Sequence, residues 1–155
     1  MTKPIPEGFH TLTPHIIVKD VGEAIDWYKK ALGAEESYRM PAPDGSILHA
    51  EVKIGDSPMM LAPENPAWES KGPTTLGGTP VTLHLYVTDV DATFEKAKAA
   101  GADIKMPPED QFWGDRYGKF IDPYGHHWGV ATHIADPTPE EMEKAMKEAF
   151  AQHQG

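Results

Sequence analysis

Cysteine is absent from the 155 residues. Disulfides, thiolate metal sites and thiol nucleophiles are therefore excluded together. Positive charge is scarce as well: 14 Lys and Arg stand against 24 Asp and Glu, for a formal net charge of −10. No basic run occurs, so the electrostatic footprint of a nucleic-acid binder is missing. No stretch of about 18 uncharged apolar residues occurs, which excludes a membrane-spanning helix. The opening MTKPIPEGFH lacks the apolar centre of a secretory signal, and a cytoplasmic location is expected. What is present is a hydrophobic content of 39%, enough for a packed core. Eight histidines and fifteen prolines point respectively to a site and to many turns.

The most informative pattern is an internal repeat. Residues 13–21, TPHIIVKDV, match residues 82–90, TLHLYVTDV, with Thr13/Thr82, His15/His84, Val18/Val87, Asp20/Asp89 and Val21/Val90 identical. Each copy opens on a strand with period-two alternation, then a helix, then three more strands. Asp20 and Asp89 sit where a carboxylate caps the free N–H groups of a helix start, and Glu23 resembles the partner in a capping box. Gly33 and Gly101 are the expected helix stops. In the first copy Ile47–Ile54 and Pro58–Ala62 read as strands joined by Gly55-Asp56; in the second, Trp113–Ile121 and His127–Thr132 are joined by the turn at Asp122-Pro123-Tyr124-Gly125. The expected division is a tail over 1–8, a first βαβββ module over 9–62, a linker over 63–80, a second module over 81–135, and a C-terminal helix and tail over 136–155. In that helix Met142, Ala145, Met146, Ala149 and Phe150 form an apolar stripe. It reads first as a face docked on the chain's own domain and second as a face for a partner subunit.

Alternation places the polar side chains of each strand on one face. Those are Thr13 and His15, Thr82, His84 and Tyr86, then His49, Glu51 and Lys53, and finally His127. A single histidine on such a face is most simply solvated; paired histidines at equivalent places in two copies suggest a cleft lined by imidazoles. Trp113, Tyr117 and Trp128 are candidates for stacking on a flat ligand, although aromatic residues near strands are commonly core. Arg116 beside Asp115 reads as a surface pair or an anion clamp.

The duplicated βαβββ pattern resembles the vicinal oxygen chelate superfamily, which includes glyoxalase I, bleomycin-resistance proteins and extradiol dioxygenases. Thr13-Pro14-His15, the run Ala24 to Ala34, His49-Ala50-Glu51, Leu76 to Pro80, Leu83 to Val87, Asp110 to Gly118 and Asp122 to His126 are similar to its PhnB-like branch. The resemblance implies an α+β fold of two βαβββ modules around a shared cleft, and the open edge on each module leads to the expectation of a homodimer. In metal-dependent members four ligands come from the first and last strand of each module. Carried onto this chain, those positions are Thr13, Met60, Thr82 and Gly129, and none offers an imidazole or a carboxylate. The expected function is therefore binding of a small molecule, held by His15, His49, Glu51, His84, Tyr86, Trp113, Arg116 and His127 without the standard metal. The alternative is a glyoxalase-, isomerase- or dioxygenase-like enzyme using zinc, nickel or iron on a displaced site at His15, Glu51 and His84.

Overall fold

A computed structural model describes residues 2–153. The chain runs through β1 (His15–Val18), α1 (Val21–Leu32), β2 (Glu35–Pro41), β3 (Ile47–Ile54) and β4 (Ser57–Pro63). A 3-10 turn at Pro66–Trp68 and the short α2 (Pro73–Leu76) occupy the linker. The second module follows as β5 (Thr82–Tyr86), α3 (Val90–Ala99), β6 (Asp103–Asp110), β7 (Asp115–Ile121) and β8 (His127–His133), and α4 (Pro139–His153) ends the described chain. The helix signals act as expected. Asp20 accepts the Glu23 N–H and Asp89 the Ala92 N–H, each satisfying a donor of the first turn. Gly33 ends α1 in the left-handed region, where a Cβ would be strained.

Two four-stranded mixed sheets result, ordered β1-β4-β3-β2 and β5-β8-β7-β6. The repeat is preserved in register: His15 lies opposite Met60, and His84 opposite Gly129, both partners displaced by the same interval (15 to 84, 60 to 129). In each sheet the first strand pairs in parallel with the last and stands at the end of the strand order. The fold is α+β, built of two βαβββ modules and a C-terminal helix.

One core serves both modules. Ile25, Tyr28 and Ala31 of α1 pack with Val52, Leu61, Phe94, Phe120, Trp128 and Val130 from the two sheets and α3. Polar bonds cross the seam: Trp27 Nε1 donates to Ala100 O at 2.8 Å, Tyr28 Oη donates to Asp122, and the His126 ring bonds Ile17 O. Asp122 is buried yet satisfied, accepting also from Trp128 Nε1 and the N–H groups of Tyr124 and His126. Trp128 is thus core, not a stacking surface.

The C-terminal helix departs from the first expectation. Thr138 caps it by accepting the Glu141 N–H, but none of its residues is buried. The helix-facing sides of both sheets are already filled by α1 and α3, and α4 takes no part in that core.

Candidate functional site

Alternation determines which side chains are available for chemistry. Ile16, Val18, Ala50, Val52 and Leu61 of the first sheet, and Phe120, Trp128 and Val130 of the second, point at the helices. Their neighbours in sequence therefore occupy the opposite, outer faces.

On the outer face of the first sheet His15, His49 and Glu51 come together. The His15 and His49 rings meet edge-on with centroids 5.8 Å apart, and His49 Nε2 lies 3.4 Å from Glu51 Oε2. Tyr38 adds a ring 6.3 Å from His49. The N-terminal segment covers part of this face, enclosing about 350 Å³ between Ile5, Phe9, Thr13, Glu51 and Met60.

The outer face of the second sheet is aromatic and built around one carboxylate. Asp115 is 4% exposed and accepts from His133 Nδ1 at 2.8 Å, Tyr86 Oη at 3.1 Å and Trp113 Nε1 at 3.2 Å. Burial pushes the Asp115 carboxyl up, but these three bonds together outweigh it and hold it below the usual carboxylate value. The Tyr86 hydroxyl is correspondingly raised by donating to Asp115. His84 stacks on Tyr117 with centroids 5.6 Å apart and planes 25° apart, and meets Tyr86 edge-on at 4.8 Å. Trp113 closes the group 6.1 Å from Tyr117.

Between the modules lies a cavity of about 480 Å³. Leu12, Met59, Val81, Leu83, Leu85 and Trp128 form apolar walls, and His10, Thr82 and His84 supply polar groups. Its size falls in the range of small-molecule sites. His84 therefore belongs both to the aromatic group and to this cavity.

The sequence candidates thus separate into two groups, His15 with His49 and Glu51, and His84 with Tyr86 and Trp113. His127 lies beside Thr82 in register, on the outer face of β8. Arg116 lies elsewhere. It does not pair with Asp115; its guanidinium bonds Asp91 of α3 at 2.8 and 3.0 Å and Asp110 at 3.0 Å. Adjacent residues of a strand face opposite ways, so Arg116 points to the helix side while Asp115 points outward. Tyr38 and His133 carry no separate signal in the sequence, although His133 continues the alternation His127, Gly129, Ala131 along β8. Asp115 is legible there only as a neighbour of Arg116.

The standard metal positions do not fit a metal. Thr13, Met60, Thr82 and Gly129 present no imidazole or carboxylate, and the space above Gly129 belongs to Tyr117, whose hydroxyl would lie 2.8 Å from an added Cβ. Among the described residues no three His, Asp or Glu side chains converge as a metal-binding group. His15 and Glu51 share a face, whereas the ring neighbours of His84 are Tyr86 and Tyr117.

Comparison with known proteins agrees with this architecture. An uncharacterised protein of Mycobacterium bovis is 47% identical over 138 residues, spanning 87% of this chain and 91% of that one. YjdN of Escherichia coli is 25% identical over 148 residues, covering 82% and 98%. Among solved structures, TioX from Micromonospora sp. ML1 superposes with a TM-score of 0.66 at 31% identity, covering 81% of this chain and 99% of that one. The sequence pattern of one family matches residues 8–130, and with the duplicated βαβββ fold this places the chain in the Glyoxalase/Bleomycin resistance protein/Dioxygenase superfamily.

Proposed function

We propose that the protein binds a small, largely apolar molecule with a hydrogen-bonding edge, in the cavity between its modules and without the superfamily's standard metal. The single observation that carries this reading is the 480 Å³ cavity, apolar along its walls and supplied with His10, Thr82 and His84. Apolar walls supply most of the binding energy of such sites, and a few placed polar groups set orientation. The aromatic group at Tyr86, Trp113 and Tyr117 extends the surface from His84, so a planar ligand gains stacking there. Within the superfamily, the runs Ala24 to Ala34 and Asp110 to Gly118 support a place in the PhnB-like branch.

The working unit of this reading is a homodimer. Among the described residues no further strand pairs with β1 or β5, although the His126 ring bonds Ile17 O of β1, and Leu12 and Val81 at the mouth of the cavity are exposed. Open edges flanked by apolar side chains favour a second copy over solvent. Pairing the outer face of the first sheet in one copy with that of the second sheet in the other brings the His15 and His84 groups to a common cleft.

A fluorescent naphthalene probe, displaced by a set of planar heteroaromatic compounds, tests the cavity. Saturable binding at one probe per chain is expected, weakened at least tenfold by His84→Ala with the circular dichroism unchanged. Binding indifferent to His84→Ala would overturn the reading.

A further inference from the structure

Residues 10–14 lead into β1 and form a wall one chain thick between two cavities. Leu12 and Pro14 line the 480 Å³ cavity, Thr11 and Thr13 line the 350 Å³ space on the outer face of the first sheet, and His10 borders both. Sides alternate here as they do along a strand. The neighbouring strand β4 divides in the same way, with Met59 lining the first cavity and Met60 the second.

This wall is not built into the sheet. The pairing of β1 with β4 begins at His15 opposite Met60, and beyond it only Pro14 O accepts the Met60 N–H, at 2.9 Å. Among the described residues, none of 10–13 takes part in a hydrogen bond, and Leu12 is 87% exposed. Gly8, just before the wall, has a φ of 83°, where glycine turns the chain without strain. A segment with so few ties opens at little cost.

The two spaces differ in charge. None of the described residues lining the 480 Å³ cavity is Asp, Glu, Lys or Arg. The 350 Å³ space has one charged side chain among its described residues, Glu51. That side chain is 20% exposed, and its ion-pair partner among the described residues is the His49 ring at 3.4 Å, a long contact for a hydrogen bond. Its register partners Tyr38 and Met60 carry no charge, and Lys53 on the same face stands opposite Glu35. A partly buried carboxylate with spare acceptor capacity therefore lies one chain thickness from an apolar, uncharged cavity.

We infer that the two cavities are halves of one site and that its ligand is an organic amine. The apolar body occupies the 480 Å³ cavity, a short chain carries the protonated amino group to Glu51, and residues 10–13 are displaced to let that chain pass. The inference rests on the cavity reading above and deepens it by giving the ligand a charge and a length. A hydrogen bond from an ammonium to a carboxylate is roughly twice as strong as one between neutral groups, so Glu51 rather than His10 or Thr82 sets specificity. The net charge of −10 also favours the approach of a cation.

Matched naphthalene probes test this, each ending in a methyl or a primary ammonium on tethers of increasing length. At the best length the ammonium probe should bind about tenfold more tightly than its methyl counterpart. Glu51→Gln should abolish that preference and leave the methyl probe unaffected. Glu51→Asp should keep the preference and move its optimum to a longer tether. Because the chain lacks cysteine, a nitroxide can be placed singly at Thr11→Cys, and its mobility should change on binding the ammonium probe but not the methyl one. No ammonium preference at any length overturns the inference. So does a preference that survives Glu51→Gln, which belongs to the overall charge, and a silent label overturns the displaced wall. These results leave the cavity reading standing, since the methyl probe and its response to His84→Ala report the apolar half alone. A methyl probe that fails to bind, or that ignores His84→Ala, overturns both.

Discussion

His84 holds its position through ring contacts rather than hydrogen bonds. Tyr117 lies flat against it on one side, and Tyr86 meets its edge. That arrangement depends on Gly129, since any Cβ there would stand 2.8 Å from Tyr117 Oη and 3.2 Å from His84 Nδ1. Gly129→Ala should cost about 1 kcal/mol, toward the low end for overpacking because the far end of a partly exposed tyrosine can swing aside. The larger effect should be on the site: the Tyr117 ring resonances shift in NMR spectra and the His84 stack is lost. A variant with unchanged Tyr117 resonances would show that the glycine is not what admits the ring. The same position tests metal chemistry. Even Gly129→His, which adds an imidazole, should bind no stoichiometric zinc or nickel by titration calorimetry, because Thr13, Met60 and Thr82 still supply no partner ligand.

The strap between β8 and α4 behaves as a unit. Ile134 and Ala135 both donate their N–H groups to Gly114 O, and His133 is held from two sides, by Asp115 at 2.8 Å and Asp136 at 2.7 Å. The hydrogen bond to Asp136, then that to Asp115, raises the His133 imidazole above its ordinary value of 6.5. A group raised on folding stabilises most below its unfolded value and loses that contribution as pH climbs through the folded one. Amide exchange over 134–136 should therefore be slow below pH 6.5 and quicken at alkaline pH beyond the intrinsic rate increase, and His133→Asn should flatten the profile. Gly114 is the mechanical counterpart. Its φ is 103°, and a Cβ would stand 2.2 Å from Ala135 O, a backbone atom that cannot swing away. Gly114→Ala combines left-handed strain with that overlap, and thermal denaturation should register a loss of roughly 2–4 kcal/mol.

At the scale of the molecule, two modules are welded by a buried polar knot. Asp122 accepts from Tyr28 and Trp128 side chains and from two backbone N–H groups of its own turn. Tyr28 comes from the first module and Asp122 from the second, so this knot is a seam contact as well as a turn anchor. Burial first, then the Asp122 charge, raises the Tyr28 phenol well above its ordinary value, so it remains a donor throughout the working pH range. Tyr28→Phe removes one donor from a buried carboxylate, at an expected cost of about 1–3 kcal/mol. Because the core is shared, denaturant unfolding should remain one transition at a lower midpoint, and two resolved transitions would show that the modules fold independently.

Local chemistry makes much of the fold legible in the sequence. The Asp caps, the glycine stops, the alternation in Ile47–Ile54 and the repeated T-x-H-x-x-V-x-D-V are short-range signals, and short-range forces settle helix ends and strand faces. Those signals also place His15, His49 and Glu51 on one face, because a period of two needs no knowledge of the partner strand. The relation between the modules is not legible in this way. Whether His15 and His84 meet depends on how two sheets sit around one core, and that is decided by packing between residues as distant as Tyr28 and Asp122. The partners of Arg116 are hidden for the same reason, since Asp91 stands on another element and the adjacent Asp115 faces away. The stripe on α4 is visible in the sequence, but its exposure is not. Only the tertiary structure shows that α1 and α3 have already taken both helix-facing surfaces, leaving the stripe exposed.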